Sequence, residues 1–177
     1  ENTAFVEFKL CDKCKEEYDN PENRRFHAQT IACPLCGPCY FTIDRNGRIF
    51  SNSIEEAQKA LMNGKILLIK GIGGMHLASL TTKDSIVSEL RRRLRRKQQP
   101  FAIMAHDLNE IKSFANVRKK EKELLISKER PIVVLKKNSK YWLSSQIAPG
   151  LDTIGVMLPY TGLHYMLLEG IPEPLIM

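Results

Sequence analysis

Four of the five cysteines form two closely spaced pairs. Two residues separate Cys11 from Cys14, two separate Cys33 from Cys36, and 18 residues lie between the pairs. This spacing lets both sulfurs of a pair face one point, so the four thiolates predict a closed tetrahedral zinc site. Such a site has no open coordination position, and we therefore expect the metal to stabilise folding rather than to take part in catalysis. Two disulfides, four unrelated buried thiols, or His27 in place of one thiolate are the alternatives.

All five cysteines lie between Cys11 and Cys39. An odd, clustered set is a poor match to a disulfide framework, which favours a reducing, cytoplasmic compartment. Cys39 is then expected to be a free thiol. The composition, 43% hydrophobic and 27% charged with 19 Gly and Pro together, is that of an ordinary globular chain. The longest apolar runs are far shorter than the ~20 residues of a membrane-spanning helix, so we expect no membrane partner.

A second candidate site follows the apolar run Ile66–Ile69. Its residues are rich in glycine: Lys70, Gly71, Ile72, Gly73, Gly74, Met75 and His76. Glycines let a ligand approach the main chain, and a lysine at a strand end supplies positive charge. The pattern is neither a Walker A loop nor a GxGxxG sequence that opens a helix. A tight turn and a hydrogen-bonded core histidine are the alternatives.

Positive charge concentrates in one short segment of a chain that has 27 Lys and Arg against 20 Asp and Glu. Six of seven consecutive residues are cationic: Arg91, Arg92, Arg93, Arg95, Arg96 and Lys97. Cations at a helix C-terminus stabilise it, so a solvated face is one interpretation. Their mutual repulsion favours an anionic ligand instead, either the phosphates of a nucleoside triphosphate or a nucleic-acid backbone. No aromatic residue interrupts the run, which argues against recognition of single strands by stacking.

Strand-like and helix-like patterns alternate after residue 50 and predict a mixed α/β layer architecture. We expect strands at residues 65–70, 75–80, 101–105, 131–137, 154–158 and 175–177. We expect helices that begin at Ser53 and at the cap Asp107, and helices over residues 84–96, 119–127 and 161–169. Asn46-Gly47 predicts a type I′ hairpin between residues 40–43 and 48–50. The polar stretch 138–150 is expected to be a flexible connection. These elements divide the chain into a treble-clef-like or ribbon-like zinc module at residues 1–50 and a domain at residues 51–177.

Longer patterns around these sites resemble one family. Asn20-Pro21, Asn23–Gln29, Ala32–Pro34 and Cys36–Pro38 accompany the cysteines as in the second zinc-finger unit of the HypF carbamoyltransferases of nickel-iron hydrogenase maturation. The rest of the chain resembles the YrdC-like domain of that family, a twisted mixed sheet with helices. The residues that carry this second resemblance are Gly64–Ile66, Lys70–Gly74, His76-Leu77, Leu90-Arg91, Pro100–Ala102, Met104, Arg130–Val133 and Ile154–Thr161.

The resemblance implies that this segment joins carbamate, derived from carbamoyl phosphate, to ATP as carbamoyl adenylate, with magnesium as the helper ion. A further domain would pass the carbamoyl group to a cysteine of the partner protein HypE, where it becomes the cyanide ligand. The implied nucleotide-binding residues are Lys70, Gly71, Gly73, Gly74, His76, Arg91, Arg93, Arg96 and Thr161; no catalytic residue is assigned.

The chain departs from the family pattern at several positions. Leu94 and Gln99 stand where lysines are usual, Ala78–Thr81 replaces a Cys-Asp-Ala-like sequence, and Gly162 replaces a proline. The sequence stops before a Thr-Ser-Gly-Asn segment that helps form the nucleotide site, so we expect a C-terminally truncated domain that is inactive alone. Two other functions remain open: a non-catalytic module that binds double-stranded RNA, and a structural spacer.

Overall fold

The computed structural model describes residues 7–50 and 53–177. The chain forms two compact units, one that ends at Phe41 and one that begins at Thr42. The expected division after residue 50 differs from this one by the hairpin of residues 42–50.

The first unit contains one helix, α1 (Asp12–Asp19), among its described residues. The backbone of Cys11 is extended, and its carbonyl accepts the N–H of Lys15 as the helix begins. Residues 20–37 form turns in which the side chains of Asn20 and Asn23 accept nearby backbone N–H groups. The buried hydrophobic residues described in this unit are Cys14 and Ile31. So small a core requires another source of stability.

The predicted hairpin is present, but its turn is not the predicted type I′. β1 (Thr42–Ile43) pairs antiparallel with β2 (Ile49–Phe50). Gly47 donates its N–H to the Asp44 carbonyl and has a φ of 82°, whereas Asn46 has no positive φ. This is a type I turn followed by a left-handed glycine. The Asp44 carboxylate favours it by accepting the N–H groups of Asn46 and Arg48.

Helix α2 (Ser53–Met62) ends as the Asn63-Gly64 pair predicts. Gly64 has a φ of 74°, and its N–H donates to the Leu61 carbonyl while Lys65 donates to Ala60. A left-handed glycine closes many helices in this way. The chain then enters β3 (Leu67–Lys70).

Seven strands form one mixed sheet in the order β3-β4-β9-β5-β8-β7-β6, which confirms the predicted α/β class. Among the strands of residues 53–177, only β5 and β8 pair in parallel. β4 and β5 are both antiparallel to β9, so they run in the same direction and begin at the same edge of the sheet. The remaining strands are β4 (Met75–Leu80), β5 (Ala102–Met104), β6 (Ala115–Asn116), β7 (Val133–Lys137), β8 (Thr153–Met157) and β9 (Leu175–Ile176).

Helices cover both faces of this sheet: α3 (Asp84–Leu94), α4 (Leu108–Phe114), α5 (Lys119–Ile126) and α6 (Gly162–Glu169). Alternate strand residues enter two separate cores, because successive side chains of a strand point to opposite faces. Ile103 joins the core that contains Val87 and Leu90 of α3, whereas Met104 joins the core that contains Leu167 of α6. Within the described residues, no helix is both long and apolar enough to cross a bilayer.

Residues 138–150 are not the flexible connection that their polar composition predicts. Leu143 and Ile147 are buried in the α3 core, and a short 3₁₀ turn spans Ser145–Ile147. Ser144 donates its N–H to the Thr81 carbonyl, and Ile147 accepts the N–H of Phe101. Two apolar residues and these long-range bonds thus fix a segment that looks like a linker in sequence.

Candidate functional sites

The four paired cysteines meet at one point in the first unit. All four sulfurs lie within 4.8 Å of one another, with 3.6 Å between Cys11 and Cys33 and 3.8 Å between Cys33 and Cys36. A tetrahedron with Zn–S bonds of about 2.3 Å has sulfurs about 3.8 Å apart. The donor set and its spacing therefore fit a structural zinc ion.

Two local structures place these sulfurs. Cys11 precedes α1 and Cys14 occupies its first turn. At the second pair, Gly37 donates its N–H to the Cys33 carbonyl and Leu35 directs its N–H to the Cys33 sulfur at 3.4 Å. A Cβ at residue 37 would lie 2.7 Å from the Cys33 carbonyl oxygen, so the turn requires glycine.

The sulfurs differ in how readily they ionise. Backbone hydrogen bonds at Cys11 and Cys33 lower the pKa of Cys36 to about 6. Burial, together with hydrogen bonds among the thiols, raises the pKa of Cys14 to about 12. A coordinating cation removes this difference, because it deprotonates each thiol that binds it.

His27 and Cys39 lie outside the four-sulfur cluster. His27 stacks between Tyr18 and Phe26, with ring centroids 5.1 and 4.1 Å away. Cys39 is an exposed free thiol that directs its sulfur to the Gly37 carbonyl. Neither residue is needed to complete four ligands.

The glycine-rich sequence forms the turn between β3 and β4. Gly71 donates its N–H to the Gly74 carbonyl, and Gly73 has a φ of 87°, a conformation that favours glycine. A Cβ at Gly71 would lie 3.0 Å from the His76 ring. The turn is therefore tight, as one of the alternatives expected, and its first glycine leaves room for an imidazole.

His76 connects this turn to the start of α6. Its Nε2 lies 3.0 Å from the Tyr160 hydroxyl, and its ring contacts that of His164 with centroids 6.1 Å apart. Thr161 caps α6, and its hydroxyl accepts the N–H of His164. The structure thus brings together the turn, His76 and Thr161, and adds Tyr160 and His164 to them.

Arg91 is a structural arginine. It is 6% exposed, and its guanidinium donates to the carbonyls of Gln146, Ile147, Arg96 and Gln99. Its charge also lies over the Phe101 ring, 4.7 Å from the centroid. These bonds occupy four of the five guanidinium N–H groups, so direct binding of nucleotide by Arg91 stays a prediction. Through them Arg91 fixes the basic loop that joins α3 to β5.

Arg93 is also engaged elsewhere. Its Nε lies 2.7 Å from Glu89, which binds Arg92 as well, and these two arginines lower the pKa of Glu89 to about 2. Arg93 and Glu89 line a groove of about 330 Å³ beside Gly64 and Lys65, at the other end of β3 from the glycine turn.

Arg96 keeps an exposed guanidinium at the edge of the sheet. Its charge lies 5.5 Å from the centroid of the Phe101 ring, just before β5 begins. Because β4 and β5 start at the same edge, the basic loop of residues 95–101 and the glycine turn share that edge. No hydrogen bond or ion pair within residues 7–50 and 53–177 joins the arginines to residues 70–76.

Two sequence profiles match the chain. One is described as the HypF finger and covers residues 10–43; the other is the Sua5/YciO/YrdC family, described as telomere recombination, and covers residues 59–177. The chain is a HypF-type member of the Sua5/YciO/YrdC family.

Relatives of the whole chain carry the HypF name. The carbamoyltransferase HypF of Rhodobacter capsulatus is 38% identical over 99% of this chain, and the probable carbamoyltransferase HypF of Methanocaldococcus jannaschii is 50% identical over 96% of it. The chain spans only 23% and 29% of their respective lengths.

Solved HypF structures share this fold. A full-length HypF in the phosphate- and nucleotide-bound form matches 98% of this chain with a TM-score of 0.85 at 46% identity. The match includes 23% of the length of that HypF. The HypF of T. kodakarensis matches 97% with a TM-score of 0.86 at 47% identity, again over 23% of its own length. A Sua5 structure complexed with L-threonine, at 22% identity and a TM-score of 0.62, agrees in fold alone.

Sequence reasoning missed Tyr160 and His164 as site residues of this HypF-type chain. Tyr160 belongs to the segment Ile154–Thr161 that carries the family resemblance, and His164 lies in the apolar run of α6. The sequence around His164 shows only a histidine three residues after the cap Thr161, with apolar neighbours. It does not reveal that the ring meets His76, which is 88 residues earlier in the sequence.

Proposed function

We propose that this chain is the finger and adenylate-forming part of a HypF-type carbamoyltransferase. In this proposal it joins carbamate to ATP as carbamoyl adenylate, and the full-length protein then transfers the carbamoyl group to a cysteine of HypE. The cyanide ligand of a nickel-iron hydrogenase would derive from that group. The zinc centre stabilises the finger and takes no part in the reaction.

The observation that carries this proposal is the shared edge of the glycine turn and the basic loop. Lys70, Arg96 and the turn supply charge and approachable main chain there, and Thr161 caps α6 next to Tyr160, which contacts His76. The solved HypF that holds phosphate and nucleotide supports the assignment, because it matches 98% of this chain.

Each residue has a distinct role in the proposal. Gly71, Gly73 and Gly74 let the ligand approach the turn, Lys70 and Arg96 neutralise phosphate charge, and Thr161 lies beside the acyl end. Arg91 acts as a positioning residue, since it holds the carbonyls of Arg96 and Gln99. Our proposal does not use Arg93, which Glu89 holds at a different groove. Magnesium bound to ATP supplies further neutralisation of phosphate charge.

The reaction is a displacement at the α-phosphorus of ATP. A carboxylate oxygen of carbamate forms the new P–O bond, and the bond to the β-phosphate breaks. Pyrophosphate leaves with the electron pair, and the step requires no proton transfer. Cations at the sheet edge favour it by stabilising the charge of the leaving group.

The test is ATP–pyrophosphate exchange in the full-length polypeptide that contains these residues. We expect exchange that requires carbamoyl phosphate or the carbamate derived from it. Arg96→Ala should weaken ATP binding about 10- to 100-fold, because a charge-assisted hydrogen bond contributes about 1.5–3 kcal/mol. Arg92→Ala is the matched control, since Glu89 holds that exposed arginine away from the edge. Its ATP affinity should be unchanged, and both variants should retain the wild-type melting temperature.

Two outcomes would contradict the proposal. If the folded, zinc-loaded protein shows no ATP–pyrophosphate exchange, the proposed adenylate-forming activity is wrong. Binding of double-stranded RNA that weakens steeply with salt, without ATP binding, would favour the RNA-binding alternative, because many phosphate contacts release counterions.

A further inference from the structure

His164 is a buried histidine whose polar atoms have no protein partner. Its side chain is 0% exposed, and neither Nδ1 nor Nε2 forms a hydrogen bond to any described residue. Buried polar atoms of native proteins are almost always hydrogen-bonded, so such an exception points to a missing ligand or water. The backbone N–H of His164 is satisfied by Thr161, which leaves the ring as the unexplained group.

The ring of His164 and its two neighbours differ in how deeply they are buried. Tyr160 is 37% exposed, His76 is half-buried, and His164 is fully buried. The ring centroid of His164 lies 4.4 Å from that of Tyr160 and 6.1 Å from that of His76. Because His76 also lies beneath Gly71, the three rings connect the glycine turn to the first turn of α6.

The surroundings of His164 favour the neutral form of its imidazole. Burial lowers its pKa, and the nearby His76 lowers it further. A neutral imidazole has one N–H donor and one acceptor nitrogen. Its complement is a ligand that carries both an acceptor oxygen and an N–H or O–H donor. Carbamate has both, whereas acetate has the same carboxylate but a methyl group in place of the amine.

We propose that His164 is the residue that selects the acyl substrate, by hydrogen bonding to carbamate in a pocket that opens when the ring of Tyr160 moves away from those of His76 and His164. This inference rests on the proposed adenylate-forming function and deepens it. Acetate would leave the acceptor nitrogen of His164 unpaired, and a site built for a hydrogen bond rejects an analogue that lacks it.

In this proposal Tyr160 is the cover that moves when carbamate enters. Its ring closes over His164, yet its hydroxyl forms a single hydrogen bond, to His76. The closed arrangement leaves the ring nitrogens of His164 unsatisfied, so a ligand that pairs with them favours opening. Carbamate held there would present its carboxylate to ATP at the adjoining sheet edge.

The first experiment is pyrophosphate exchange by the full-length protein with ammonium carbamate or acetate as the acid. His164→Leu should raise the KM for carbamate about 10-fold or more and reduce the preference for carbamate over acetate, while the KM for ATP changes less than about twofold. His164→Gln, which keeps a donor and an acceptor, should retain part of that preference. His106→Gln is the control, because His106 is partnered by Glu110 and Leu168 and lies outside the pocket; its acid preference should match the wild type.

The second measurement does not require a folded His164 variant. Tyr160→Trp adds one indole at the cover of the full-length protein, and the emission of the protein without this substitution is the baseline. Ammonium carbamate with a non-hydrolysable ATP analogue should shift the emission of the added indole, and sodium acetate should not.

The outcomes separate the two proposals. Wild-type exchange together with an unchanged carbamate preference in His164→Leu would overturn the role of His164 alone, and would assign its nitrogens to a structural water. An emission shift that acetate produces equally would overturn it as well. Failure of the wild type both to exchange and to bind ATP would instead overturn the adenylate-forming function.

Discussion

The two units of this chain differ in what stabilises them. In the first unit, the described hydrophobic core consists of Cys14 and Ile31, and four sulfurs converge on one point. The second unit buries apolar side chains on both faces of a seven-stranded sheet. The comparison indicates that metal ligands can replace a core in a short segment, whereas a larger one can bury enough surface to fold by packing.

Loss of the metal should produce the largest effect, and it should be confined to the first unit. We expect Cys14→Ser to abolish zinc binding and unfold residues 7–41, because structural zinc contributes about 10–16 kcal/mol in finger peptides. Metal content by mass spectrometry and limited proteolysis would measure this. Cys39→Ser is the matched control, since Cys39 lies outside the cluster, and it should keep a full complement of zinc.

A result in which Cys14→Ser also unfolds the sheet would break the comparison. The second unit would then depend on the finger for its stability, and its two cores would be insufficient alone.

Within the second unit, truncation of Arg91 should have the next largest effect. Arg91→Ala removes the guanidinium donor of four carbonyls, of which Ile147 keeps the N–H of Phe101, and opens a cavity against Phe101. We therefore expect a loss of about 3 kcal/mol. Urea denaturation would measure the loss. Arg95→Ala, at an exposed position of the same segment, should change stability by less than about 0.5 kcal/mol. If Arg91→Ala and Arg95→Ala lose the same free energy of unfolding, the buried Arg91 contributes no more to stability than an exposed arginine of the same segment.

The smallest expected effect is a change of stability with pH, which arises from the contact of His106, just after β5, with α6. His106 places Nδ1 2.8 Å from Glu110 and Nε2 2.8 Å from the Leu168 carbonyl, so both nitrogens donate only when the ring is charged. Burial alone would lower the pKa of His106, but the hydrogen bonds to Glu110 and Leu168 outweigh it and raise the pKa above 6.5. The contribution to stability is therefore complete below pH 6.5 and is lost as the pH rises through the higher folded-state pKa.

Melting temperatures of the zinc-loaded protein between about pH 6 and pH 9 would test this contact. Glu110→Gln should lower the melting temperature most near pH 6, and the difference from the wild type should shrink as the pH rises. Glu56→Gln removes an exposed pair with Lys59 and should give no such trend. A difference that stays constant with pH would mean that His106 is neutral in the folded protein.

Local sequence patterns predicted the parts of the structure that depend on near neighbours. The cysteine spacing predicted the four-sulfur cluster, and Asp107 caps α4 by accepting two backbone N–H groups as its pattern with Glu110 indicates. The strand β4 has the predicted bounds. In each case the deciding interactions lie within a few residues, or between two short motifs of known chemistry.

Features that depend on distant contacts were not predictable in this way. The charge of Arg91 suggests an exposed phosphate ligand, but carbonyls of residues 146 and 147 hold it inside. The polar composition of residues 138–150 hides the two positions that pack on α3. Likewise, nothing in the sequence near His164 indicates that His76 lies beside it.

The position of β9 has a consequence for biosynthesis. Residues 175 and 176 pair with β4 on one side and β5 on the other, so they join the two halves of the sheet. During translation, β4 and β5 leave the ribosome before β9. Until β9 follows, the edge of each strand that pairs with β9 is unpaired. Such edges invite pairing with other chains, and long-range pairing is slow. We therefore expect this unit to need protection from aggregation during translation more than its modest size suggests.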